Sequence, residues 1–366
     1  MKIKKYHLKN FPEERVRILL KSNKKFLDES INYFGSLKKL SDFLSVSPQL
    51  IYYWEKLNLF VPLKYVKKIV NERNLDWYKI EKNVIAYKGP NSSLLVQNPK
   101  LPISESPELF AIITHLIGDG SVNKNNIPIY TNSNAELISN FQRLVSCVFG
   151  DVGGKIYKRK SGCYEFRSSR IIADLIKSFY KINFDTYNAT IPKRVAYLPK
   201  KFSISVIKAF ADDEGSVDLN HRINLYSRNK KLLLFIRKLL IEKLMFRDIS
   251  SVLQKSKLDF YLTIKPKDIE KYFKIVGFNH PLKSTRLSKI IEIRNKSSGV
   301  RRKDNQTKNE ILNLLSYKNL STEELILKLG IRKSNVNIPL KELNNDGMIT
   351  KFNKHGQIIK WTKMEG

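Results

Sequence analysis

The chain has 366 residues, 42% of them hydrophobic, which is too long for one ordinary domain and apolar enough for real cores. Lysine and arginine total 67 against 34 aspartate and glutamate, a formal charge of +33 that repels itself unless a polyanion is present. No uninterrupted apolar run approaches the roughly 20 residues of a membrane helix, and no apolar segment follows the basic N-terminus MKIKKYHLKN as a signal peptide would require, so a membrane partner is excluded and nucleic acid is favoured.

Residues 1–100 read as short helices. Ser36–Leu44 has helical apolar spacing, Ser45-Val46-Ser47 turns the chain, and Ser47 with Pro48 suits the start of a second helix over Gln49–Glu55. This pair resembles the helix-turn-helix of phage-repressor-type domains, in which the second helix enters the major groove. An ordinary helical hairpin with an aromatic core is the other reading. Residues 89–107 are rich in turn formers and read as a linker or an edge strand.

The centre repeats itself. Ile112-Ile113-Thr114-His115-Leu116-Ile117-Gly118-Asp119-Gly120-Ser121-Val122 matches Ile207-Lys208-Ala209-Phe210-Ala211-Asp212-Asp213-Glu214-Gly215-Ser216-Val217, with the acids 95 positions apart (214 − 119 = 95). Asn134 and Asn229 keep that offset, as do the apolar residues of the helices after them. Lys160-Ser161 and Lys255-Ser256 also keep it. Each unit reads helix, two strands, helix, two strands, helix. Strands are expected near 127–131, 155–158 and 164–168, and again near 223–226, 251–254 and 260–264. Two such αββαββα units side by side make an α+β saddle, one sheet face of which is free for a long charged ligand. Of the two cysteines, Cys147 falls in an apolar helical stretch and reads as core. With Cys163 it forms neither a CxxC nor a His-rich cluster, which argues against a zinc or disulfide framework and for a reduced, cytoplasmic setting.

The basic stretch 296–309 reads as a linker. Beyond it, helices are expected over Asn309–Leu315, Thr322–Leu329 and Ser334–Leu343. Two strands follow, Met348–Phe352 and Gln357–Thr362, in the pattern of a winged helix. Four parts result: an N-terminal helix-turn-helix domain at 1–100, repeat units at 101–200 and 201–298, and a C-terminal winged helix at 305–366.

The paired acidic elements, within about 107–296, resemble the two motifs of single-chain LAGLIDADG homing endonucleases. The resemblance implies two motif helices packed at a pseudo-twofold axis. Thr114 and Gly118 occupy the small positions of one helix, Ala209 and Asp213 those of the other. Thr114 and Asp213 are larger than usual, and Asp213 either adds charge near the metals or faces water. A phosphodiester repels nucleophiles, and divalent cations neutralise its charge and activate water. The hard cation Mg²⁺, or Mn²⁺ in its place, takes oxygen ligands. Asp119 and Glu214 would each supply one carboxylate, and the carbonyls of Gly118 and Asp213 further oxygens. The resemblance implies one centre per strand, and a lysine late in each repeat beside it. Lys283 fits that place in the second unit, and Lys193 is the nearest in the first. Asp212 is expected to cap or face solvent, and His115 to pack or lie at the surface. Strand residues on the open face would contact double-stranded DNA: Lys158, Lys160, Arg167 and Arg170 in the first unit, and Arg222, Arg228, Lys255 and Lys257 in the second.

The activity implied is site-specific, metal-dependent cleavage of double-stranded DNA by a freestanding monomer. The ends lack the His-Asn and following nucleophile of an unspliced intein. Two alternatives share the basic surface: a non-cutting transcription regulator on a LAGLIDADG scaffold, and a maturase acting on intron RNA.

Overall fold

The computed structural model describes residues 2–256, 259–296, 305–352 and 359–364. Part of the expected linker (297–304) and the expected turn between the wing strands with the first two residues of the second (353–358) lie outside the described residues, as does Lys257.

The first unit opens with α1, Pro107–Ile117. Ser106 caps it by accepting the Leu109 N–H, and Pro107 sits where no N–H is needed. Every residue from Leu109 to Leu116 is buried, as befits a helix packed on all sides. There follow β1 (Gly120–Val122), β2 (Pro128–Asn132), α2 (Ala135–Phe149), β3 (Ile156–Lys158), β4 (Tyr164–Arg167) and α3 (Arg170–Tyr180). The second unit repeats the order with α4 (Lys200–Glu214), β5 (Gly215–Asp218), β6 (Arg222–Ser227), α5 (Lys230–Lys238), β7 (Leu253–Gln254), β8 (Phe260–Ile264) and α6 (Ile269–Ile275). A further helix, α7, spans Pro281–Lys296. Each unit forms its own antiparallel sheet, in the orders β3-β4-β2-β1 and β5-β6-β8-β7. The α+β architecture is consistent with the duplicated fold that the resemblance implies.

The register of the repeat holds only in part. Gly120 pairs with Tyr130, and Gly215 with Leu225, at the offset of 95. Asn132 pairs with Tyr164, however, whereas Ser227 pairs with Phe260, so the later hairpin is displaced by 96 (260 − 164 = 96). One extra residue lies between. The matched Lys160-Ser161 and Lys255-Ser256 are therefore not structural equivalents, and the counterpart of Lys255 is Arg159 (255 − 159 = 96). Side-chain alternation makes such a one-residue slip consequential.

Residues 1–100 contain more than helices. Five helices, Asn23–Phe34, Leu37–Leu44, Pro48–Lys56, Leu63–Glu72 and Trp77–Asn83, surround strands at Arg17–Leu20, Val61–Pro62 and Val84–Lys88. The Ser47 hydroxyl accepts the Leu50 N–H, and Ile51 and Trp54 turn inward. The stretch that reads as a linker or an edge strand holds two strands: Leu95–Gln97 is interior, between Val84–Lys88 and Asp151–Val152, and Ile103–Ser104 pairs with Lys5–Tyr6. Local turn formers could not reveal partners some fifty residues away, whose pairing buries Val96 completely.

One apolar core runs from Leu8 to Ile290 through the N-terminal region and both units. A second spans Ile293 to Trp361. The helix α7 contributes Leu287 and Ile290 to the first and Ile293 to the second. In the C-terminal region, helices at Gln306–Tyr317, Thr322–Leu329 and Lys333–Asn345 precede strands Ile349–Phe352 and Lys360–Lys363. Leu320–Ser321 adds a third strand to that pair, and Ser321 with Glu324 forms a capping box. Cys147 is exposed rather than core, because the buried face of α2 is set by Leu137, Ile138, Phe141, Val145 and Val148.

Candidate active site

Helices α1 and α4 pack against each other, with Thr114 and Ala209 buried between their neighbours. The approach is close where they end. A Cβ on Gly118 would stand 2.6 Å from Asp213 Oδ2 and 2.9 Å from Asp213 Cβ. Both chains then turn at matched glycines: a Cβ on Gly120 would meet the His115 carbonyl at 2.6 Å, and one on Gly215 would strike the Ala211 carbonyl. These turns set Asp119 just past α1 and Glu214 as the last residue of α4.

The C-terminal end of a helix carries negative partial charge, so it disfavours carboxylates and attracts cations. Asp119 is solvent-accessible and Glu214 half-buried. Desolvation and the nearby charges of Asp213 and Glu214 push the Asp119 carboxyl up to about 7, opposed by Lys283 and by a hydrogen bond from Asn132 Nδ2 to Asp119 Oδ2 at 2.7 Å. Desolvation and Asp213 likewise push Glu214 up to about 7, again opposed by Lys283.

Lys283, in the first turn of α7, caps α4. Its ammonium donates to the carbonyls of Asp212 at 2.5 Å, Ala211 at 3.1 Å and Asp213 at 3.3 Å. Burial draws its pKa down, although the carboxylates of Asp213, Asp212, Asp119 and Glu214 resist this. The Asp213 carbonyl, expected to be open to a metal, is thus already engaged. Asp212 does not face solvent. It is fully buried, and its Oδ1 accepts the N–H groups of Asn279 and His280 at 2.8 and 2.9 Å, which fixes the start of α7 and with it Lys283. Burial raises the Asp212 pKa to about 6 despite those bonds.

Asp213 does not face water either. Its carboxylate crosses to the first unit, where it meets His115 Nδ1 at 3.0 Å and accepts the Tyr130 hydroxyl at 2.6 Å. Burial lowers the His115 pKa, but Asp213 outweighs it and holds the imidazole above its ordinary value.

The remaining sequence-expected residues divide. Gly118 and Glu214 line one cavity of about 380 Å³ with Arg228, Lys255, Tyr226 and Asp259. Arg228 also faces Asp259 at 3.6 Å, and Lys255 lies over the Tyr226 ring. Lys193 is exposed in the short turn Lys193–Tyr197 and lines a separate cavity with Ile191, Lys231, Phe235 and Lys238. Lys158, Lys160, Arg167 and Arg222 are exposed. Lys158 pairs opposite Tyr164, on the face of Asn132 rather than that of Arg167. Arg170 is no strand residue. It begins α3, with its stem against Gly89 and its guanidinium toward Asp174 and the Pro90 carbonyl. Sequence reasoning missed Asn132, Tyr130 and Arg159. Alternation from Asn134 back along β2 puts Tyr130 and Asn132 on one face and was the available signal.

Among the described residues, no group of three or more His, Cys, Asp and Glu side chains could hold a metal ion. Asp119 and Glu214 nevertheless suit a hard divalent cation. Both donors are oxygens, their mutual repulsion favours added positive charge, and Mg²⁺ commonly takes one or two carboxylates and fills its shell with water and phosphate.

No known protein family and no curated protein matches the sequence. Among solved structures the chain is similar to the homing endonuclease I-DmoI in complex with DNA and Mn, at 20% identity over 46% of this chain and 96% of that one, with a TM-score of 0.36. The same enzyme with DNA and Ca aligns at 19% identity over 50% and 97%, TM-score 0.37. Full-length DUF199/WhiA from Thermatoga maritima aligns at 16% over 66% and 92%, TM-score 0.38.

Proposed function

We propose that this chain is a metal-dependent endonuclease of the LAGLIDADG type that binds double-stranded DNA across its two sheets and hydrolyses one phosphodiester in each strand. One observation carries the reading: two carboxyl groups stand at the matched ends of packed helices, each lifted to about 7 by burial and neighbouring acids and each opposed by the charge of Lys283. Carboxylates strained in this way at an accessible site are costly to a fold and suit cation binding.

Asp119 and Glu214 would each hold Mg²⁺ or Mn²⁺, which when bound neutralises phosphate charge and makes water a better nucleophile. Asn132 orients the Asp119 carboxylate through its hydrogen bond. Lys283 offsets the crowded negative charge while its ammonium stays bonded to the carbonyls at the end of α4. Arg228 and Lys255, which line the cavity with Glu214, would hold the backbone beside the scissile bond. In this reading the helix pair at Leu37–Leu44 and Pro48–Lys56 acts as a helix-turn-helix, and the C-terminal region as a winged helix. Both lengthen the footprint by effective concentration.

The test is incubation of the full chain with Mg²⁺ and duplex DNA from the flanks of its own gene. The nuclease reading expects specific double-strand cleavage that vanishes in Asp119→Asn and Glu214→Gln while DNA binding persists. Tight binding by wild type without cutting would instead identify a regulator, and a preference for intron RNA a maturase.

A further inference from the structure

We infer that Arg159, Glu165 and Arg167 form a guanine-reading element on the first sheet, so that the two halves of the DNA site are read by different chemistry. This rests on the DNA-binding reading above.

The pairing fixes which side chains share a face. Tyr130 pairs with Phe166, and both rings pack on Phe141 of α2, with centroids 4.6 and 6.2 Å away. Thr131, Glu165 and Arg167 therefore project from the opposite face of the sheet. On that face Glu165 is only 1% exposed, yet it lies between two half-exposed arginines. Arg167 donates through Nε to Glu165 Oε1 at 2.5 Å, and Arg159 pairs its Nη2 ionically with Oε2.

A lone arginine on a strand samples many rotamers. Here a buried carboxylate engages each guanidinium, Arg167 through Nε and Arg159 through Nη2, while both side chains stay half-exposed. For Arg167 both Nη groups remain available. The Nη fork of Arg167 and the remaining donors of Arg159 match the paired O6 and N7 acceptors of guanine, whereas adenine and cytosine place an amino donor on that edge. Glu165 itself is too enclosed to meet phosphate, so it is a positioning residue.

The second sheet lacks this element. At the offset of 96, Arg159 corresponds to Lys255, Glu165 to Tyr261 and Arg167 to Thr263. Thr263 donates to Asn224 Oδ1 at 2.7 Å, and Tyr261 faces Tyr226 with centroids 6.4 Å apart. That face carries Arg222 and Lys255 beside amide, hydroxyl and ring groups, but among the described residues no buried carboxylate there joins two arginines.

The test is selection of bound sequences from a random duplex library without divalent metal, using the full chain. Wild type, Glu165→Gln, Arg159→Lys, Arg167→Lys and Asn224→Ala are compared, with thermal melting to verify folding. The inference expects guanine positions in one half-site, preferred by at least about fivefold in wild type. These should flatten in the first three variants, while the other half-site changes only in Asn224→Ala. Guanine preferences undiminished in all three variants would overturn the element and leave DNA reading intact. Equal weakening of every position would also overturn it, since that is the mark of a structural salt bridge. Selection of no motif by wild type would overturn both readings.

Discussion

Asp213 and His115 face each other across the paired helices, with Oδ2 3.0 Å from Nδ1 and both side chains almost wholly enclosed. Asp213 holds the position matched to Gly118 in the other unit, so the missing side chain on one helix makes room for the carboxylate of the other. The counterparts of His115 and Tyr130 in the second unit are Phe210 and Leu225, both apolar. The central network therefore has no counterpart among the described residues of the second unit.

Removing one partner of that pair should leave a buried charge uncompensated. Asp213→Ala is expected to cost about 3–5 kcal/mol in urea unfolding, and Tyr130→Phe about 1 kcal/mol. The His115 pKa is raised on folding, so the stability it contributes is complete below its unfolded value and drains away as pH climbs through the folded one. Equal stability of Asp213→Ala and wild type would show that the crossing carboxylate bears no weight.

The acid pair should make stability fall with pH in metal-free buffer. Asp119 and Glu214 titrate near 7 when folded and near 4 when unfolded, so between these values the folded state binds more protons and loses stability as pH rises. Asp119→Asn and Glu214→Gln should therefore each raise Tm at pH 8 by about 2–4 °C and change it little at pH 4. Mg²⁺ or Mn²⁺ should raise the wild-type Tm at pH 8 and leave the double variant unmoved, because a ligand stabilises only the state that binds it. Scanning calorimetry at the two pH values decides both points.

In the proposed endonuclease reading, cleavage should increase with pH through about 7, as the same two carboxyls ionise and become able to hold a cation. Lys283→Met removes the charge that opposes their rise. It should move this midpoint to higher pH and lower the rate about 100-fold. A rate loss with an unshifted pH profile would restrict Lys283 to capping α4.

Close approach rather than conformation should govern the glycines beside the acids. Gly120→Ala would press a methyl against the His115 carbonyl and Leu116 Cα, both backbone, and should destabilise by about 3 kcal/mol or more. Gly153→Ala meets only Leu94 Cδ2 at 3.8 Å and should be near neutral. Chemical denaturation of the two variants measures the contrast.

The amino-acid sequence by itself determined the duplication, the helix ends, the acids at those ends and the cationic surface. All of these are written in local pattern or in a repeat: Ser106-Pro107 starts a helix, a glycine beside each acid (Gly118, Gly215) ends one, and a 95-residue offset returns the same residues. Tertiary structure alone decided where Asp212 and Asp213 point, which carbonyls Lys283 occupies, and that residues 95–97 form an interior strand. It also decided that a single added residue puts Arg159, not Lys160, opposite Lys255 in the fold. The physical reason is the same throughout. Helix periodicity and capping act within a few residues and leave local marks, whereas burial, hydrogen-bond pairing and strand register are settled between segments far apart in the chain, where a one-residue shift reverses the face on which a side chain stands.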